Sequence, residues 1–147
     1  MEEKVEDLLR KHNLSVTSAR KAVLWAVAKY PHSDADKILK HARKKSGTLS
    51  KQAVYDNLRT LTEKGIVRTI QPMGHPARFE IDHQDNHHHI VCRTCGVTMD
   101  VHCRKGAAPC LAPEETMGFV LDEAEVVFWG LCPACQNKSK PAKKKRR

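Results

Sequence analysis

The residues best able to do chemistry crowd into the second half of this 147-residue chain. All six cysteines follow residue 91, and five of the nine histidines fall between residues 75 and 89. Four of the cysteines form two Cys-x-x-Cys pairs, Cys92 with Cys95 and Cys132 with Cys135. Each pair follows a strand-like run, Ile90-Val91 before the first and Val126-Val127-Phe128-Trp129 before the second. Two thiolate pairs at strand ends make a tetrahedral cage that suits a structural Zn2+ ion. The stretch between them, residues 96–131, is longer than in a compact zinc ribbon, so the cage has to be assembled across a sheet. A thioredoxin-like redox pair needs Cys-x-x-Cys opening a helix within a βαβ unit, and neither pair is expected to sit so. Two independent disulfides suit an exported chain better than a cytoplasmic one.

A second constellation precedes the first cage pair, in Asp85-Asn86-His87-His88-His89. On a strand, His87 and His89 project to one face and His88 to the other. Glu80 on the preceding hairpin and Asp100 on the following strand complete a mixed nitrogen and oxygen pocket. Such a donor set takes Fe(II), Mn(II), Ni(II) or Zn(II), and donor chemistry alone does not choose among them. His75 and His83 read as ordinary solvated side chains. Cys103 and Cys110 lie outside the cage. They form either a reversible disulfide pair, if exposed as thiolates, or two small buried or inert side chains.

The elements that must carry these groups follow from periodicity. Val5, Leu8 and Leu9 mark a first helix. Thr17 caps a second, with Ala19, Ala22, Val23, Ala26, Val27 and Tyr30 as its buried stripe. Ser33 is placed to cap a third, with Asp34 and Asp36 at the positive end of its dipole and Ile38, Leu39 and Ala42 inward. Ser50 caps a fourth that runs to about Lys64, where Gly65 supplies the left-handed residue that ends a helix. Ile66 to Ile70, a Pro72-Met73-Gly74 turn and Arg78-Phe79-Glu80-Ile81 then form a hairpin. Helix, turn, helix and hairpin in this order predict a winged helix-turn-helix. In the fourth helix Val54, Leu58 and Leu61 face inward. Lys51, Gln52, Tyr55, Asp56 and Arg59 are left facing outward near its N-terminal end, where a recognition helix meets the major groove.

Charge is distributed to match. Residues 1–75 hold 15 Lys/Arg against 8 Asp/Glu, whereas residues 76–137 hold 4 against 9. The last ten residues hold seven basic side chains and no acid. A basic front, an acidic middle and a basic tail point to nucleic acid at the front and to metal or subunit contacts behind. No apolar run approaches the ~20 residues of a membrane span. The first residues lack the apolar core of a signal peptide, which reads as a cytoplasmic protein with no membrane partner. No nucleophile–base motif and no phosphate-binding glycine loop is present, so the chain is not expected to be an enzyme. The other class kept open is a zinc-stabilised thiol oxidoreductase, in which a cage pair cycles.

Thr17-x-x-Arg20, Gln52-Ala53-Val54-Tyr55, Ala77-Arg78-Phe79-Glu80, His87-His88-His89-Ile90-Val91-Cys92-x-x-Cys95-Gly96 and Trp129-Gly130-Leu131-Cys132-Pro133-x-Cys135 together resemble the ferric uptake regulator family. The Asp85-Asn86-His-His-His stretch, Cys103 with Cys110, and Leu121 to Val126 resemble its actinobacterial peroxide-responsive branch in particular. The resemblance covers about residues 5–137. It implies an α+β fold: a winged-helix DNA-binding domain over residues 1–82, a hinge at 83–86, and an α/β metal-binding dimerisation domain over 87–137. It implies a homodimer on a double-stranded DNA operator, contacted through Arg20, Lys51, Gln52, Tyr55 and Arg59. It implies structural Zn2+ on Cys92, Cys95, Cys132 and Cys135. The regulatory ion, Fe2+ or Mn2+ with Ni2+ or Zn2+ as alternatives, falls to His32, Glu80, His87, His89 and Asp100. The function implied is a peroxide-sensing repressor of catalase-peroxidase and oxidative-stress genes, with iron-, zinc- or nickel-responsive repression of metal homeostasis as the alternative. Two positions depart from the family pattern. Ala124 stands where many relatives have a histidine that completes a further metal site, and Asp56 stands where arginine often follows the recognition tyrosine. The tail, residues 138–147, is expected to be disordered and to add phosphate contacts of no sequence preference.

Overall fold

Thr17, Asp34 and Ser50 each stand in extended backbone just ahead of a helix. Each side chain accepts a hydrogen bond from the backbone N–H three residues on, those of Arg20, Lys37 and Ala53. These caps start the helices of the first part of the chain in the computed structural model, which describes residues 1–106 and 108–139. The elements are α1 (Glu2–Lys11), α2 (Ser18–Lys29), α3 (Ala35–Ser46), α4 (Lys51–Glu63), β1 (Val67–Ile70), β2 (Arg78–Ile81), β3 (His87–Cys92), β4 (Thr98–His102), β5 (Val127–Gly130) and α5 (Pro133–Ser139). The cap of α3 is Asp34 and not Ser33. Ser33 is instead buried in a two-residue antiparallel bridge with Phe79, whose N–H donates to the Ser33 carbonyl at 3.0 Å. The carboxylate of Asp34, one residue nearer the helix, is left to meet the Lys37 N–H at 2.9 Å.

The chain divides into two compact units, Met1–Gln84 and Asp85–Arg147. In the first, Leu9, Val23, Leu24, Val27, Ile38, Val54, Leu58, Leu61 and Ile66 lose nearly all their accessible surface in one core. Leu24 belongs to that core although the expected stripe of α2 omits it, and Ala19 is only partly buried. Gly65 has φ +68, which lets the chain turn out of α4 directly into β1. β1 and β2 pair antiparallel, Arg68 opposite Glu80 and Thr69 opposite Phe79.

The second unit is a three-stranded sheet in the order β4-β3-β5. β3 is antiparallel to β4, with His89 opposite Asp100 and Ile90 opposite Met99. It is parallel to β5, with Ile90 opposite Phe128 and Cys92 opposite Gly130. The fold is therefore mixed α+β. α5 is a finding beyond the sequence reading, and it takes Lys138 and Ser139 from the stretch read as tail. The rest of that stretch, residues 140–147, lies outside the described residues. No helix among the described residues is long and apolar enough to cross a membrane.

Candidate functional site

The sheet topology explains how two distant Cys-x-x-Cys pairs meet. β3 and β5 are parallel neighbours, so their C-terminal ends emerge side by side, and Cys92 closes β3 while Cys132 follows β5 by two residues. After Cys92 the chain folds back in a knuckle. The Gly96 N–H donates to the Cys92 carbonyl and the Cys92 N–H to that of Val97, both at 2.9 Å. The Arg93 N–H ties the knuckle to the Gly130 carbonyl at 2.9 Å. The four sulfurs of Cys92, Cys95, Cys132 and Cys135 then lie within 4.8 Å of one another, with Cys95 and Cys132 at 3.7 Å. Tetrahedral zinc with Zn–S of ~2.3 Å separates its sulfurs by about 3.8 Å, so the cage fits that ion. Cys132-x-x-Cys135 does open a helix, contrary to expectation. No strand follows α5 among the described residues to make a βαβ unit, and its partner is the other thiol pair.

The cage thiols are unequal. The Cys132 N–H, then those of Cys95 and Thr94, stabilise the Cys92 thiolate against the opposing effect of burial, bringing its pKa to about 6. Cys135 is pushed up to about 12, first by its hydrogen bond with the Cys132 thiol, then by burial and the other cage sulfurs. One ligand is ready to coordinate near neutrality. Another surrenders its proton only to a metal.

The imidazole and carboxylate groups form two sets, one in each unit. In the first, His32 occupies left-handed backbone at φ 60, uncommon for a residue with a Cβ. It is held there because its N–H donates to the Phe79 carbonyl at 2.9 Å, beside the Ser33–Phe79 bridge. That bridge sets His32 against the next residue of β2, and His32 Nε2 lies 2.9 Å from Glu80 Oε2, both side chains largely buried. In the second unit His87 and His89 share a face of β3, their ring centroids 5.0 Å apart. Asp100 Oδ1 stands 3.3 Å from His89 Nε2 and 3.6 Å from His87 Nε2. His87 Nδ1 is meanwhile engaged by Asp85, a partner the sequence reading does not supply.

His88 points to the opposite face, where its Nε2 lies 3.1 Å from the sulfur of buried Cys110. Cys103 is half-buried and Cys110 buried, and both are free thiols. Burial raises the Cys103 pKa, but the N–H groups of Gly106 and Lys105 and the Cys110 thiol outweigh it, and the net shift is downward.

On α4, Lys51, Gln52, Tyr55 and Arg59 are all exposed. Asp56 accepts from Gln52 Nε2 at 2.9 Å and from Arg59 at 3.3 Å, so its charge is neutralised on the helix surface. Lys51 pairs with Asp36 at 3.3 Å. Arg20 is committed inward: its guanidinium donates to Asn57 Oδ1 on α4 at 3.2 Å and to the carbonyl and hydroxyl of Ser15. It braces α4 against the lead-in to α2, a role the motif alone did not disclose.

Residues 11–127 match the model of the ferric uptake regulator family. The chain is 54% identical over 127 residues to the transcriptional regulator FurA of Mycobacterium tuberculosis, covering 86% of each protein. Its fold is similar to that of the Helicobacter pylori ferric uptake regulator, with a TM-score of 0.70 at 19% identity over 94% of this chain and 93% of that one. It is also similar to the Campylobacter jejuni peroxide stress regulator, with a TM-score of 0.67 at 28% identity over 89% and 98% respectively.

Proposed function

The chain belongs to the ferric uptake regulator family, and on that premise we propose that it is a homodimeric, metal-dependent repressor that releases its operator when peroxide oxidises it. The carrying observation is that each unit holds its own imidazole–carboxylate set. His32 and Glu80 are built into the helical unit, and His87, His89 and Asp100 into the sheet. On this reading the regulatory divalent ion takes its ligands from His32, Glu80, His87, His89 and Asp100. Fe(II) or Mn(II) fits this donor set, as do Ni(II) and Zn(II). Fe(II) held by these residues would promote oxidation by peroxide, which would be reduced to water as it delivers one oxygen to an imidazole of His32, His87 or His89.

The protein's own part is positional. His32 lies in the loop that enters α3, and Glu80 lies on the wing strand β2. A ligand drawn to this pair therefore acts on α3, which packs against α4, and on the hairpin whose first strand, β1, packs against α4. Allosteric coupling of this kind is typically about 1–3 kcal/mol, or 5- to 150-fold in operator affinity. α4 presents Lys51, Gln52, Tyr55 and Arg59 to the major groove, with Arg20 acting as a brace. Cage zinc on Cys92, Cys95, Cys132 and Cys135 holds the ends of β3 and β5 together.

Dimerisation is supported by the exposed side of the sheet. Met99, Ile90 and Phe128 form one row across β4, β3 and β5, and they are 64%, 45% and 52% exposed. A twofold axis through such a row buries it against its own copy, and a twofold-symmetric dimer reads two half-sites about one DNA turn, ~34 Å, apart. Cys103 and Cys110 offer a second oxidation route. The Cys103 thiolate attacks peroxide, giving a sulfenic acid and hydroxide, and the Cys110 thiol condenses with it to a disulfide and water. The regulated genes on this reading are those of oxidative defence, catalase-peroxidase among them.

The deciding measurement is operator binding by zinc-loaded protein with no added metal, with Fe(II) and with Mn(II), each before and after peroxide. Tight Fe(II)-dependent binding that peroxide abolishes while Mn(II)-dependent binding survives is the expected result. Loss in both metal forms, reversed by a reductant, assigns sensing to Cys103 and Cys110. Metal dependence without a peroxide response makes the protein a metal-homeostasis repressor, and binding that no metal alters overturns the mechanism.

A further inference from the structure

We propose that His88, Cys103 and Cys110 form a separate binding site for a thiophilic divalent cation of the zinc class. The three donor atoms lie within 4.8 Å of one another, with His88 Nε2 and Cys110 Sγ at 3.1 Å. Zinc with Zn–S of ~2.3 Å and Zn–N of ~2.0 Å needs these atoms about 3.5 to 3.8 Å apart, a change of an ångström or less. The set follows from the sheet register. His88 is paired with Val101 across β3 and β4, and paired residues share a face. Cys103 lies two residues beyond Val101, so the same alternation carries it to the face of His88. The loop that leaves β4 then returns Cys110 to that spot.

The chemistry favours an ion over a plain buried contact. Two thiols and an imidazole are a donor set selective for zinc and its soft neighbours, and hard cations such as Mg(II) are poor matches. His88 and Cys110 are 5% and 6% exposed, whereas Cys103 is half-buried and leaves a way in. A divalent cation takes up the charge of two thiolates in a setting where an unpaired charge is costly. The site draws on none of the cage cysteines and none of His32, Glu80, His87, His89 or Asp100. Three protein ligands leave one coordination position for water or a small thiol, as in zinc sites that exchange ligands. While the ion is bound, Cys103 and Cys110 are withheld from disulfide formation, so occupancy sets whether the thiol route is open.

Co(II) is the probe, because it gives a thiolate-to-metal charge-transfer band that an all-nitrogen-and-oxygen site lacks, and because it binds more weakly than the zinc already in the cage. Full-length reduced protein, its cage first filled with zinc, is titrated with Co(II) while cage zinc is tracked by elemental analysis. The expected result is a charge-transfer band saturating at one ion per chain with cage zinc retained. The band disappears in Cys103→Ser and in Cys110→Ser and weakens strongly in His88→Ala. No band in the wild-type protein, or an undiminished band in Cys103→Ser, overturns the proposal. Half-buried Cys103 is the deciding position, because its serine variant is expected to keep the fold and the cage zinc. A band that tracks loss of cage zinc in every variant also overturns it.

Discussion

Phe128→Ala tests the proposed dimer at the β5 end of the exposed row. Phe128 is 52% exposed on the sheet face it shares with Ile90 and Met99. A phenylalanine side chain presents roughly 200 Å2, so about 100 Å2 is available for burial against a second copy. At ~25 cal/mol per Å2 this is worth about 2.5 kcal/mol for each protomer. In an isologous interface the substitution acts twice, for roughly 5 kcal/mol in all. Allowing for the area that alanine itself still buries, the dimer dissociation constant is expected to rise about a thousandfold. Sedimentation velocity over a dilution series reads this directly, with cage zinc content confirming that the sheet is intact. Operator affinity should fall in parallel, because two half-sites then have to be bound by separate chains. A dissociation constant within about threefold of wild type, with zinc retained, would refute the assignment of this face to the dimer.

Two further outcomes follow from single groups. Ser50→Ala removes the acceptor 3.0 Å from the Ala53 N–H at the start of α4. It should destabilise the first unit by about 1 kcal/mol in urea or thermal unfolding, with Ser50→Asp close to wild type. Because that end of α4 carries Lys51 and Gln52, operator binding should weaken in Ser50→Ala even where the protein is fully folded. Zinc retention by the cage should show a break near pH 6. Above it the Cys92 site is already a thiolate, whereas below it zinc has to displace one more proton, so affinity measured against a chelator falls more steeply with acid. In the metal-free protein the Cys92 contribution to folding is complete above the ordinary thiol value of 9.0 and is lost as pH falls through about 6. That of Cys135 runs the other way, present below 9.0 and lost toward about 12. Cys92→Ser should remove the lower break.

The parts of the fold legible in the sequence are those set by local rules. Thr17 and Ser50 cap as expected because a hydroxyl before an apolar-periodic run has few other uses, and Gly65 ends α4 because only a residue tolerant of positive φ fits there. Ser33 misled because two adjacent residues can both cap, and the tertiary bridge to Phe79 decides between them. α5 was missed because seven residues after a Cys-Pro carry too little periodicity to show a helix. The chemistry was legible to the extent that it depends on strand alternation, which separates His87 and His89 from His88. What alternation cannot show is where a loop returns. The approach of Cys110 to His88, the grip of Asp85 on His87 and the brace from Arg20 to Asn57 all join residues whose meeting depends on packing.

The two units are stabilised by different means, and this bears on how such a protein responds. The first buries a continuous core from α1 to β1 and is equipped to hold its fold by packing. In the second, the buried apolar residues among those described are Val91, Cys92, Cys110 and Cys135, and three of these four are metal-ligand candidates. A three-stranded sheet with so small a core cannot offset the ordering of its chain through apolar burial alone. Val101, Val127 and Trp129 are only partly buried, and Ile90, Met99 and Phe128 face outward. On the proposed reading, thiol-bound zinc and a second copy supply the missing stability, since both bind the folded form and act through mass action. Ligand occupancy at the sheet and the oligomeric state are thus linked quantities. On that reading, a chemical event at a cysteine or histidine of the second unit acts on an element with little apolar core of its own, whereas the unit proposed to read the operator has a continuous one.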